Sequence, residues 1–264
     1  VKTQKVSIRD IQLKLLDIID YIDELCKKNK IQYFLIGGSA LGAVRHKGFI
    51  PWDDDFDIAM TNENYLKFLK VCEEQLDKDR YFFQREASEK WPLYFTKIRM
   101  NGTVFREPDA MCESHMGIFI DVFSLENIAD GIVASTWQYI CSKIVIARTL
   151  AQRGYMTATF GKRVVMSIIK RISNRALEKV LINQVRRYNK EETKRLGILF
   201  GNVRFKNAFI PREFFGTPEY IEFEGRFLPV PGMTHEFLRK NFGDYMKLPP
   251  KEKQFGHLPE EVIL

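Results

Sequence analysis

Four aspartates fall within five positions in RHKGFIPWDDDFDIAM, residues 45–60: Asp53, Asp54, Asp55 and Asp57. Carboxylates this close repel one another, and burying them without counter-charge is costly. The cluster is therefore either a solvated acidic turn or a cation site. An EF-hand calcium loop is excluded. With Asp53, Asp55 and Asp57 at positions 1, 3 and 5, positions 6 and 12 require Gly and Glu, and the chain has Ile58 and Asn64 there. Strand geometry offers another reading. Residues two apart on a strand share a face, about 6.5–7 Å apart. A strand over 55–60 thus projects Asp55 and Asp57 together and sends Phe56 and Ile58 into the core. Paired carboxylates suit a divalent ion with oxygen ligands: Mg2+ where phosphates are also present, one or two ions, with Mn2+ as the other metal of this kind. GIFIDVFSL, residues 117–125, supplies a third carboxylate, Asp121, the only charge in an otherwise apolar strand. An isolated acid there is costly unless it is a ligand. Asp55, Asp57 and Asp121 are the catalytic and metal-binding candidates.

Further candidates surround them. Gly37-Gly38-Ser39 joins a strand to a helix start, where glycines admit close backbone approach and free N–H groups face an anion. Arg45, His46 and Lys47 are either positive charge for a phosphate or a solvated helix end. Lys97 and Arg99 alternate on a strand and are either a second phosphate contact or surface charge. Asp53 is expected to orient its loop rather than bind metal.

Alternating apolar spacings of three and four from Ile8 to Leu25, after a capping Ser7, give a first helix. A buried strand at 31–36, a short helix at 39–45, a strand at 55–60 and a helix from Asn62 follow. Strands are then expected at 81–84, 93–100, 103–105 and 117–123, with Asn101-Gly102 as a hairpin turn. Residues 134–150 and 160–190 read as helices, 220–228 as a strand and 235–241 as a short helix. The fold class is α+β: a mixed sheet with flanking helices and a basic helical insertion. The expected divisions are a catalytic core at 1–130, the insertion at 131–200, and a C-terminal segment at 201–264 that completes the site.

The 264 residues suffice for a sizeable core, and no run of eighteen apolar residues marks a membrane span. The N-terminus lacks the order of a secretory signal, so a cytoplasmic protein is expected. Four dispersed cysteines fit free thiols, and Cys112-Glu-Ser-His115 has no second pair to make a zinc site. The net charge of +7 is uneven: residues 131–200 hold 14 Lys and Arg against 3 Asp and Glu, leaving the rest mildly acidic.

GGSALGAVRHKGFIPWDDDFDIAM resembles the signature of the LicD-type phosphocholine transferases, a family with a nucleotidyltransferase-like core to which fukutin-related protein is also similar. GIFIDVFSLEN resembles its later aspartate strand, and FEGRFLPVPGMTHEFLRKNFGDYMKLPP with His257 its C-terminal segment. The likeness covers about 31–125 and 209–258; Phe56 departs from it, since many members have an aliphatic residue there. It implies Mg2+-dependent phosphocholine transfer from CDP-choline to a hydroxyl of a cell-surface glycan precursor, of teichoic acid or lipopolysaccharide type, with CMP released. Other CDP-linked phospho-alditol donors fit the same family. On this likeness Asp55 and Asp57 hold the metal on the donor diphosphate, Asp121 serves the acceptor hydroxyl, and Gly38 and Ser39 hold a donor phosphate. Glu224 and His257 become ligand contacts by resemblance alone, and Trp52 is the leading ring for a choline cation–π contact. A lipid-linked acceptor would bring the basic helices against an anionic inner leaflet, a peripheral membrane contact. Two alternatives stay open. One is a nucleotidyltransferase acting on a small acceptor. The other is a basic nucleic-acid-binding module, disfavoured because few aromatics interleave with the basic residues and no reading motif is present.

Overall fold

A computed structural model describes residues 6–107, 114–152, 175–256 and 259–264. Helix α1 (Ile8–Lys28) begins at Ser7, whose hydroxyl accepts the Asp10 amide while the Asp10 carboxylate accepts the Ser7 amide. This reciprocal cap satisfies two otherwise orphaned donors. The predicted stripe, Ile11, Leu15, Ile18, Ile22 and Leu25, is buried. In chain order follow β1 (Phe34–Leu35), α2 (Gly37–His46), β2 (Asp57–Thr61), α3 (Asn62–Gln75), β3 (Tyr81–Gln84), β4 (Thr96–Met100), β5 (Val104–Arg106) and β6 (Phe119–Ile128). Then come α4 (Ile132–Gln152), α5 (Arg175–Val185), β7 (Arg195–Gly197), β8 (Ile210–Pro211), β9 (Glu219–Phe223), β10 (Arg226–Val230), α6 (Thr234–Phe242) and β11 (Glu261–Ile263).

The protein is α+β, built on a mixed sheet. Its main path runs β1-β2-β6-β4-β3, with β7 and β8 extending from β6. Strands β2 and β6 are parallel; β1–β2, β3–β4, β4–β6, β6–β7 and β7–β8 are antiparallel. Register partners align Asp57, Asp121, Lys97 and Gln84 in one row across β2, β6, β4 and β3. Residues paired in register share a face, and their sequence neighbours take the other. Accordingly Phe56, Ile58, Ile120, Val122 and Ile98 are fully buried. The large apolar cluster around them also holds α1, α3 and Phe223. A smaller cluster joins Cys141 and Val145 of α4, Leu181 and Val185 of α5, Ile128, Phe200 and Ala208. Cys26, Cys72 and Cys141 are free buried thiols. No helix among the described residues is long and apolar enough to cross a membrane.

Three expectations change. Asn101-Gly102 turns the chain, with Gly102 at φ 76°, but closes no β4–β5 ladder. Both edges of β4 are taken by β3 and β6, and β5 pairs with β11. The single strand expected at 220–228 is a hairpin, β9–β10, turning at Glu224 and Gly225, both with positive φ. The helix expected at 160–190 lies outside the described residues up to 174, and its described part, α5, ends at Val185.

Gly42 shows how tightly α2 is seated. A Cβ there would lie 2.4 Å from the Gly48 carbonyl oxygen, a backbone atom that cannot rotate away. Gly42→Ala is therefore expected to cost about 2 kcal/mol of overpacking and to lower the melting temperature by about 5 °C, measured by thermal denaturation.

Candidate active site

The carboxylates sit where α2 starts and where β2 and β6 start. Asp57 opens β2, and its amide donates to Ser39 Oγ at 2.9 Å while its carbonyl accepts the Ile36 amide at 3.2 Å. The Asp121 amide donates to the Phe56 carbonyl at 3.0 Å, which places the two aspartates side by side on parallel strands. Asp55 lies just before β2. The glycine pair makes room for side chains as well as backbone. A Cβ on Gly37, which has φ 54°, would stand 2.9 Å from Asp57 Oδ2, and one on Gly38 would stand 2.4 Å from Asp53 Oδ2. The aspartate loop is held from below by Gln12, a buried polar residue on the inner face of α1. Its amide donates to the carbonyls of Asp53 at 3.0 Å and Ile50 at 3.3 Å. From above, Gly256 lies against the loop, with room for no Cβ beside the Trp52 carbonyl and the Asp54 carboxylate.

A cavity of about 520 Å3 joins Gly37, Asp55, Asp57 and Asp121. The rest of its lining comes from Ile36, from Phe123, from residues between 198 and 210 and from α6. Burial, then the charges of Asp55, Asp121 and Asp53, push the Asp57 carboxyl well above the usual carboxylate range. Burial raises Asp121 to about 6 against the pull of Lys97. Asp121 Oδ1 is buried without a hydrogen-bond partner, 3.3 Å from the Lys97 ammonium in an ion pair outside hydrogen-bond geometry.

Among the described residues, no three His, Cys, Asp or Glu side chains already converge as a metal cluster. The donor set nonetheless fits a hard divalent cation in kind. It offers carboxylate oxygens whose charges disfavour one another, one of them buried and lacking a hydrogen bond.

The other described candidates do not line the cavity, although Lys97 touches Asp121. Lys97 and Arg99, read as either a second phosphate contact or surface charge, are buried. Lys97 pairs with Asp121 and Glu107, each at 3.3 Å, and stands 3.2 Å from the Phe119 ring centre, with Trp91 at 5.3 Å and Phe95 at 5.7 Å. Arg99 donates to Gln84 at 2.6 Å and to the Gly117 carbonyl at 2.8 Å. Both faces of β4 are covered, so alternation there does not lead to solvent. Arg45, His46 and Lys47 end α2, about 12 Å of helix from Gly37. Arg45 donates to the Tyr245 carbonyl at 2.9 Å and Lys47 pairs with Glu222 at 3.4 Å. Glu224 is a turn residue held bidentately by Arg9 at 2.8 and 2.9 Å, an ion pair that keeps its carboxyl below the usual range. It ties α1 to the β9–β10 hairpin and lines no part of the cavity. Trp52 is half-buried against the main core and also lies off the cavity lining. His257 lies outside the described residues, as does Cys112.

Because Asp121 holds its proton more tightly folded than unfolded, its ionisation costs stability between the ordinary carboxylate value of 3.8 and about 6. Stability therefore falls as pH rises through that window. The melting temperature of Asp121→Asn minus that of the wild type is expected to grow from pH 4 to pH 6 and then level off. A flat difference across the window would show that this burial is not felt.

Residues 30–148 match the family described as LicD/FKTN/FKRP, nucleotidyltransferase domain. Over 267 residues, 99% of this chain and 99% of the relative, the protein is 29% identical to the lipopolysaccharide cholinephosphotransferase LicD of Haemophilus influenzae. A shorter stretch of 71 residues is 39% identical to an uncharacterized protein of Rickettsia typhi, covering 27% of this chain and 23% of that protein.

Proposed function

We propose that this chain, whose residues 30–148 match the LicD/FKTN/FKRP nucleotidyltransferase domain, transfers phosphocholine from CDP-choline to a hydroxyl of a lipopolysaccharide- or teichoic-acid-type glycan precursor and releases CMP. The observation that carries this reading is the pairing of Asp57 with Asp121 on adjacent parallel strands, both opening into the cavity that Asp55 and Gly37 also line. The near full-length similarity to a cholinephosphotransferase supports the choice of headgroup.

Asp55, Asp57 and Asp121 would hold Mg2+, which when bound neutralises charge on the diphosphate and stabilises the entering and leaving oxygens. The Asp121 carboxylate, ionised above about pH 6, accepts the proton of the acceptor hydroxyl. That oxygen bonds to the phosphorus bearing choline, the bond from this phosphorus to its bridging oxygen breaks, and the electron pair leaves on CMP. Lys97 holds Asp121 from the side away from Asp57 in the strand row. The rings that line the cavity, and could meet a quaternary ammonium in place of Trp52, are Phe123, Phe237 and Phe242.

The test is incubation with CDP-[choline-label] and a glycan acceptor in the presence of Mg2+. CMP release with label retained on the glycan supports the proposal. Pyrophosphate release from CTP, with the nucleotide kept on an acceptor, would instead identify a nucleotidyltransferase. Turnover of another CDP-alditol, but not of CDP-choline, would move the assignment to that headgroup.

Peripheral contact with an anionic leaflet belongs to the same reading. The first turns of α4 expose Ile132, Val133, Trp137 and Ile140, while α5 exposes Arg175 and Lys179 and the turn after it exposes Arg187. Co-sedimentation with phosphatidylglycerol vesicles is expected to exceed that with phosphatidylcholine vesicles and to fall with salt. Equal sedimentation with both would remove the electrostatic part.

A further inference from the structure

Two cations line the cavity that the carboxylate chemistry leaves without a task. Arg204 and Lys206 contribute to the same lining as Asp55, Asp57 and Asp121, and both are exposed. Neither takes part in an ion pair among the described residues. The nearby aspartate Asp121 is matched instead by Lys97. Both residues lie beyond the 30–148 family domain, in a stretch with no motif of its own.

Their backbone is held firmly. Lys143 of α4 donates to the Gly201 carbonyl at 3.0 Å, and Tyr139 of α4 donates to the Val203 carbonyl at 3.1 Å. Phe205 packs edge-on against Tyr139 at 5.1 Å and against Phe209 at 5.3 Å. On the other side, Asn207 donates to the Asn241 carbonyl of α6 at 3.2 Å. A short segment pinned from two helices presents its charged side chains at low entropic cost.

We infer that Arg204 and Lys206 form an anion-binding wall that takes the phosphate oxygens of the nucleotide diphosphate donor. The inference rests on the donor reading above and deepens it. A diphosphate held through metal by carboxylates still has non-bridging oxygens turned away from the metal, and bond cleavage adds charge on the departing phosphate. A guanidinium matches two such oxygens at once, and an ammonium supplies a second point charge. Placing both on a wall built by α4 and α6 would also give the helical insertion a part in donor binding.

The experiment is isothermal titration of cytidine diphosphate with Mg2+ into the full chain. The wild type and the double variant Arg204→Gln/Lys206→Gln are compared, with Mn2+ binding and melting temperature measured on both. The expected result is 10- to 100-fold weaker cytidine diphosphate binding, unchanged Mn2+ affinity and unchanged melting temperature, with Arg204→Lys giving an intermediate affinity. Binding within twofold of the wild type overturns the inference and leaves the donor reading intact. Loss of Mn2+ binding or a large drop in melting temperature in the double variant also overturns it, because the pair would then act through the fold. If the wild type itself binds no cytidine diphosphate with Mg2+, both readings fall.

Discussion

Asp57→Asn is expected to lower kcat/KM by about 10³-fold or more and to leave the protein at least as stable as the wild type. The two halves of this result have one cause. The Asp57 carboxyl is pushed well up by burial and by the charges of Asp55, Asp121 and Asp53. Its ionised form is thus disfavoured in the folded chain, and an amide of the same shape removes that repulsion at neutral pH. The amide also keeps the packing against Gly37, where Asp57 Oδ2 fills the place a Cβ would need. What it cannot supply is the anionic oxygen that a divalent ion requires. Steady-state turnover and thermal melting, measured on the same preparation, check both halves. Unimpaired turnover in Asp57→Asn would remove the carboxylate pair from the chemistry altogether.

Arg186→Met is expected to be the most damaging change outside the site. Arg186, just after α5, donates to both Glu86 oxygens at 2.9 and 3.0 Å and to Glu126 Oε1 at 3.3 Å. Glu126 is fully buried in β6, and Glu86 is 8% exposed. Tyr65 donates to Glu86 at 3.1 Å, and Asn62 and Asn189 donate to Glu126. The guanidinium is the charge shared by two buried carboxylates, and burial already raises Glu86 against the pull of Arg186. Removing one member of such a buried group leaves uncompensated charge and costs about 3–5 kcal/mol. That corresponds to a fall of about 10 °C in melting temperature for a chain of this size. The triple variant Glu86→Gln/Glu126→Gln/Arg186→Met is expected to recover much of the loss, because no buried charge remains. A melting temperature for Arg186→Met within 2 °C of the wild type would show that water already screens the group.

Much of this was legible in the sequence where chemistry and secondary structure share a few residues. The spacing of Asp55, Phe56, Asp57 and Ile58 states which side chains enter the core. Asp121 stands out because its neighbours are apolar, and the helical stripe of α1 is plain. Legibility failed where a side chain's surroundings come from distant parts of the chain. Lys97 and Arg99 read as a solvent-facing pair, but β4 lies inside the sheet between β3 and β6, with aromatic rings over Lys97. Glu224 looked like a strand residue, because nothing local signals a glutamate at φ 50° beside Gly225. The Glu86, Glu126 and Arg186 group spans a hundred positions. Arg204 and Lys206 reach the cavity only because β7 returns the chain to β6. Gln12 carried one clue, a polar residue on the buried side of an amphipathic helix.

That return has an evolutionary corollary. Ile128 and Arg195 are register partners, so the chain departs from the sheet and rejoins it at a single seam. A lobe grafted at such a seam can lengthen, shrink or be exchanged while the ladder holding Asp57 and Asp121 keeps its alignment, since loop closure depends only weakly on length. Divergence can therefore concentrate in the lobe, retuning what the protein meets outside while the strands that carry Asp57 and Asp121 keep their pairing.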